Sequence, residues 1–130
     1  MRSDTVDVFG MSSQGAQVAG HFEHDSLRRI SGVWFGEIGR NEERYYFNAQ
    51  GLFFVQEVAL EYDSLLSGRV VRAETTITVL QDTVASAWRM TGGRRSILPH
   101  SEAADQARRV RTWADTLRFL LRQRSPYDAP

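Results

Sequence analysis

Apolar residues recur at every second position through most of the chain and at every third or fourth position near its end. Three times an apolar residue is followed five positions later by another across a polar, turn-like loop: Phe22 to Leu27, Phe47 to Leu52 and Val79 to Val84. Alternating stretches flank each of these loops, so each reads as the tip of a β-hairpin. Three hairpins in succession predict one antiparallel meander.

The middle hairpin is the most explicit. Arg44-Tyr45-Tyr46-Phe47 leads into Asn48-Ala49-Gln50-Gly51, and Leu52-Phe53-Phe54-Val55 leads out. Asn48 can bond the backbone two residues on, and Gly51 accepts the positive φ that a side chain resists. Pairing Phe47 with Leu52 puts Tyr45, Phe54, Val58 and Leu60 on their face, with Gln56 interrupting the row. In the third hairpin Ile77, Val79, Val84, Trp88 and Met90 share one face, while Thr76, Thr78 and Arg89 take the other. In the first, Val18, Gly20 and Phe22 fall with Leu27, Val33 and Phe35, and Ile30, Trp34 and Ile38 lie opposite. Both faces of that returning strand are apolar, which requires cover on both sides or a bulge near Gly32 that changes the phase. A short leading strand is expected around Val6 to Phe9.

Beyond Thr91-Gly92-Gly93 and Pro99 the period changes to 3.6. Val110, Trp113, Ala114, Leu117, Leu120 and Leu121 fall within about 120° on a helical wheel, and Arg108, Arg111, Arg118 and Arg122 surround Asp115 on the far side. Ser101 is placed to cap this helix, with Glu102 in the first turn. An antiparallel sheet needs its apolar face covered, and a helix about 30 Å long is the cover the chain provides. The expected fold is α+β: a meander of three hairpins over about residues 17–90, six strands or seven, covered on one face by a C-terminal amphipathic helix over about residues 101–124. Residues 1–4 and 125–130 are expected to be flexible, and the whole is one domain. The helix should rest on Phe47, Phe54, Ile77 and Trp88.

Composition narrows the chemistry. At 130 residues the chain suits one core, and no stretch approaches the roughly 18 apolar residues of a transmembrane helix. Cysteine is absent, which removes disulfides, thiolate metal sites and a cysteine nucleophile. All 16 basic residues are arginine and net charge is zero. Residues 1–88 nevertheless carry seven arginines against twelve acids, and residues 89–124 nine against three. An acidic sheet facing a basic helix accounts for that asymmetry, and with Asp115 inside the arginine stripe it disfavours nucleic acid as a partner. The opening MRSDTVDVFG lacks the basic and apolar regions of a secretion signal, so the chain is expected to be intracellular or a mature form.

Candidate catalytic groups do not assemble. His21 and His24 would point to opposite strand faces, so no metal ligand set is expected and no cofactor. Glu42 with Glu43, and Glu57 with Glu61, read as surface carboxylates; the second pair lies about 13 Å apart along a strand. No serine sits in a G-x-S-x-G elbow. Thr91-Gly92-Gly93-Arg94-Arg95-Ser96 could hold an anion between backbone donors and the guanidinium groups of Arg94 and Arg95, although it reads first as a connection from sheet to helix with exposed arginines. Trp34, Phe35, Tyr45, Tyr46 and Phe53 cannot all face one helix, because neighbours on a strand point to opposite sides; Trp34, Tyr46 and Phe53 are therefore candidates for a binding patch on the outer sheet face, with ordinary core packing under loops as the alternative.

The run Glu43-Arg44-Tyr45-Tyr46-Phe47-Asn48-Ala49-Gln50-Gly51-Leu52-Phe53-Phe54-Val55, with Gly36-Glu37 and Gly39-Arg40 before it, resembles the YYF-x-x-G-x-L-x-F hairpins of small uncharacterised bacterial exported proteins and lipoproteins. It is also similar to the tyrosine- and glycine-punctuated hairpins of MORN-like repeats. The resemblance spans about Gln17 to Trp88 and implies an exported, periplasmic or envelope-associated, noncatalytic binding protein; it carries over no catalytic residue. A protein or peptide partner, or a second copy of the chain, would then use the outer aromatic face. The alternative expectation is a small-ligand carrier or small enzyme with its pocket between sheet and helix.

Overall fold

The computed structural model describes residues 2–8, 15–81 and 84–123. Eight strands, β1 (Arg2–Val8), β2 (Ala16–Glu23), β3 (Ser26–Phe35), β4 (Gly39–Asn48), β5 (Gly51–Tyr62), β6 (Val70–Gln81), β7 (Val84–Thr91) and β8 (Arg94–Ile97), form one antiparallel sheet in chain order. The helix α1 (His100–Gln123) follows and packs on one face, touching β1, β2, β5, β6 and β7. The α+β meander expected from the alternation is therefore present, with two extensions. Residues 2–4 belong to the leading strand, which runs from Arg2 to Val8, while Phe9 lies outside the described residues. Thr91 and Arg94 pair across Gly92 and Gly93, whose φ values of 56° and 79° turn the chain into an eighth strand. Two adjacent glycines satisfy that left-handed turn at little cost, and the segment expected to lead from sheet to helix is a fourth hairpin.

The helix begins one residue before Ser101, with the Ala103 amide bonded to the Pro99 carbonyl at 2.9 Å. Val110, Ala114, Leu117 and Leu121 are buried, as the helical period requires, and Ala103 and Ala107 extend the stripe. Facing them are Ile30, Tyr45, Phe47, Val55 and Leu80 from the sheet, with Ala87 buried on β7. Ala103, Ala107 and Ala114 on the helix and Ala87 on β7 are small, which allows a close approach of the helix to that side of the sheet.

Two bulges decide which residues reach that core. In β2–β3 the register moves from His21↔Arg29 to Phe22↔Leu27, leaving Arg28 unpaired, and in β4–β5 it moves from Tyr46↔Phe54 to Phe47↔Leu52, leaving Phe53 unpaired. One extra residue inverts the phase of everything beyond it. Val55 consequently lies opposite Tyr45 beneath the helix, and Phe54 turns to the outer face, where its ring meets Tyr46 edge-on at 5.6 Å. Ile77 and Trp88 share a face, as expected, but it is the outer one, because Thr78 and Ala87 take the buried positions under the helix. The expected packing of the helix on Phe54, Ile77 and Trp88 is thus corrected, and Phe47 alone of the four is retained.

The phase change in the first hairpin falls at Arg28 and not at Gly32. Ile30 and Trp34 face inward with Val18, whereas Val33 and Phe35 do not. Gly32 has another purpose: the Trp34 indole lies flat over it, so that a Cβ built there would sit 2.1 Å from Cζ3 of the ring.

Candidate functional site

The inward positions of the sheet change character halfway along its central strands β4, β5 and β6. On β4, moving back from the turn, they read Phe47, Tyr45, Glu43, Asn41; on β5, moving forward, Val55, Glu57, Ala59, Glu61. On β6 they read Leu80, Thr78, Thr76, Glu74, Arg72. The apolar half is closed by the helix. Over the polar half the helix presents Gln106, Arg109 and Trp113, and the space between is a cleft of about 1060 Å³. Its walls include Trp34, Phe35, Ile38 and Leu60 as well as Arg40, Arg72 and Arg108. An inner lobe of about 390 Å³ reaches Thr76 and Arg89 and shares Glu43, Glu74 and Arg109 with the main space.

Glu43 is a half-buried carboxyl in the cleft. Its Oε1 accepts from the Tyr45 hydroxyl at 2.5 Å and from Trp113 Nε1 at 3.1 Å, tying β4 to the helix. Glu57, its cross-strand partner, uses Oε1 to accept from Gln106 Nε2 at 2.7 Å and from Arg109 Nη2 at 2.6 Å. Further along, Glu74 accepts from the Thr91 hydroxyl at 3.2 Å and lies 3.4 Å from Arg89 Nε. Trp113 also tilts against Trp34, with centroids 5.7 Å apart, so the two indoles form an aromatic corner beside Glu43.

Burial pushes the Glu43 carboxyl above the ordinary carboxylate range. The charge of Glu57 adds to that rise, and the bonds from Tyr45 and Trp113 and the charge of Arg109 oppose it. Burial and the adjacent Glu43 carboxylate likewise raise Tyr45, which stays a phenol and a donor. A carboxyl whose folded pKa is raised contributes stability that is fully present below its unfolded value of 4.5 and is lost as pH rises through the folded value. Glu43→Gln keeps the shape and stays neutral. Urea unfolding should therefore find this variant and the wild type alike near about pH 4 and the variant the more stable near about pH 8; a gap independent of pH would contradict the assignment.

The residues singled out from the sequence are dispersed. Trp34 is 8% exposed and belongs to the inner face, so it cannot join an outer patch; the bulge at Arg28 put it there. Tyr46 is half-buried on the outer face against Phe54, and Phe53 projects from the bulge at the rim of a second groove, near Phe47 and Arg118. Arg94 and Arg95 are successive residues of an exposed strand and point to opposite sides, Arg95 lying 4.7 Å over the Trp88 ring. They do not converge on one anion, and the glycines between β7 and β8 serve a hairpin turn. His24 sits in the β2–β3 turn with φ 50°, while His21 lies on the strand beside Arg29, with 3.4 Å between Nε2 and Nη2.

Glu43 and Glu57 read as surface carboxylates from the sequence, and the structure corrects this. The signal was available: Glu43 is in phase with Tyr45 and Phe47. For Glu57 the bulge at Phe53 hid it. Comparison with protein-family models, with curated proteins and with solved structures finds no match to this chain.

Proposed function

We propose that this protein binds a small amphipathic molecule in the cleft between its sheet and helix. The observation carrying this reading is the change from an apolar to a polar inward surface halfway along the sheet, with a cleft of about 1060 Å³ where the polar half meets the helix. Small-molecule sites are concave, largely apolar spaces with a few convergent polar groups, and commonly occupy about 300 to 1,000 Å³. Trp34, Ala59 and Trp113 supply apolar and aromatic wall; Glu43, Glu57, Arg72 and Arg109 supply polar ends. The role is capture and orientation of the molecule, not turnover.

Prodan, a naphthyl ketone dye that brightens on leaving water, is a suitable probe. Ala59 is exposed on the cleft floor, and Ala59→Trp fills that space without touching the core. Prodan should bind the wild type saturably and lose that binding in Ala59→Trp, whereas Tyr46→Ala on the outer face should leave it intact. The reverse pattern would reject the cleft.

A second reading, recognition of a protein partner or of a second copy by the outer face, is favoured by a separate observation. Val84, Met90 and Ile97 are exposed beside Trp88 on β7 and β8, at 60%, 38% and 75%.

A further inference from the structure

The ligand class follows from how Glu43 is bonded, given the cleft reading above. Both donors that reach this carboxyl, the Tyr45 hydroxyl and Trp113 Nε1, converge on the same oxygen, Oε1. Oε2 takes no hydrogen bond among the described residues, and the side chain lines both the main cleft and its inner lobe. An oxygen that accepts two bonds is the carbonyl-like oxygen of a carboxyl group; a proton on this group is then held by Oε2. Directly opposite stands Glu57, whose charge disfavours ionisation of Glu43.

We propose that Glu43 acts as a neutral carboxylic acid whose Oε2–H donates to a carbonyl-type oxygen of the ligand, while the ligand's ring rests against Trp34 and Trp113. The site then selects planar, apolar molecules bearing an uncharged acceptor oxygen, such as ketones, quinones or amides on an aromatic frame. Burial and the charge of Glu57 on β5 favour a neutral Glu43, against the bonds from Tyr45 on β4 and Trp113 on α1 and the charge of Arg109, which is itself engaged by Glu57. Glu74 on β6 is occupied by Thr91 and Arg89 of β7. From β3 come only Gly32 and Trp34, which are uncharged. Burial raising the Glu43 pKa agrees with this arrangement.

Methyl naphthyl ketone and isopropylnaphthalene have nearly the same shape and differ in the acceptor oxygen. Competed against prodan near about pH 5, the ketone should bind the wild type roughly tenfold more tightly than the hydrocarbon, the ratio expected for one hydrogen bond to a buried group. That preference should shrink as pH rises and Glu43 ionises. In Glu43→Gln, whose amide N–H replaces the acid O–H, the preference should persist and lose its pH dependence; in Glu43→Ala it should vanish. A preference that grows with pH, or one that Glu43→Gln abolishes, would overturn the neutral-acid assignment. Equal, Ala59→Trp-sensitive binding of both compounds would overturn it too while leaving the cleft reading standing. Failure of the wild type to bind prodan or either competitor would overturn both.

Discussion

Leu117→Asp is expected to abolish the fold. Leu117 is fully buried at the centre of the cluster formed by Ile30, Tyr45, Phe47, Val55 and Leu80, midway along the stripe that fixes the helix to the sheet. Leu117→Ala removes packing and leaves a cavity, a loss of about 2 to 5 kcal/mol. Aspartate adds the cost of an unpaired buried charge. A chain of this size has on the order of 5 to 15 kcal/mol of stability in total, and the sum of these losses exhausts it. Phe119, two residues along the same helix, is 53% exposed. Phe119→Asp should change stability by no more than about 0.5 kcal/mol, as surface substitutions commonly do. Circular dichroism of the pair separates the two faces: a cooperative, native-like spectrum from Leu117→Asp would show that the helix does not cover the sheet as described.

Trp34→Ala should be nearly as damaging, at about 3 to 5 kcal/mol, because the ring is buried and packs against both the sheet and Trp113. The cause is checked by Gly32. A methyl group there would occupy the place of the indole, so Gly32→Ala should displace it and cost about 1 to 3 kcal/mol. Once Trp34 has been replaced by alanine, the same Gly32→Ala change meets no ring and should cost far less. Urea unfolding of the two single variants and the double variant measures that coupling. Additive losses would mean that the glycine is retained for its backbone and not for the tryptophan above it.

Alternation shows the strands because a pleated chain exposes successive side chains to opposite faces, and the 3.6 period shows the helix for the corresponding reason. Phase is the part that alternation transmits poorly. At Arg28 and Phe53 one unpaired residue inverts the order, and nothing in the local composition marks either position: Arg28 precedes another arginine, and Phe53 stands between Leu52 and Phe54. Errors of one residue then spread along whole strands. They sent Trp34 to the wrong side of the sheet, brought Phe54 under the helix, and left Glu57 on the surface. Residues on the near side of each bulge, such as Tyr45 and Phe47, were placed by period alone. The eighth strand is only four residues long and exposed throughout, so it lacks the apolar face by which the others announce themselves. The cleft depends on pairing across strands and on Gln106, Arg109 and Trp113 arriving from a distant helix, and such juxtapositions have no local signature.

The three tryptophans provide the most direct test of the central claim. Trp34 and Trp113 line the cleft, and Trp88 lies on the opposite face of the sheet beneath Arg95. In a nitrogen–proton correlation spectrum each indole N–H gives its own signal. Titration with methyl naphthyl ketone should shift the signals of Trp34 and Trp113 saturably and leave Trp88 in place. Movement of Trp88 with the other two unchanged would contradict the cleft and assign binding to the outer face.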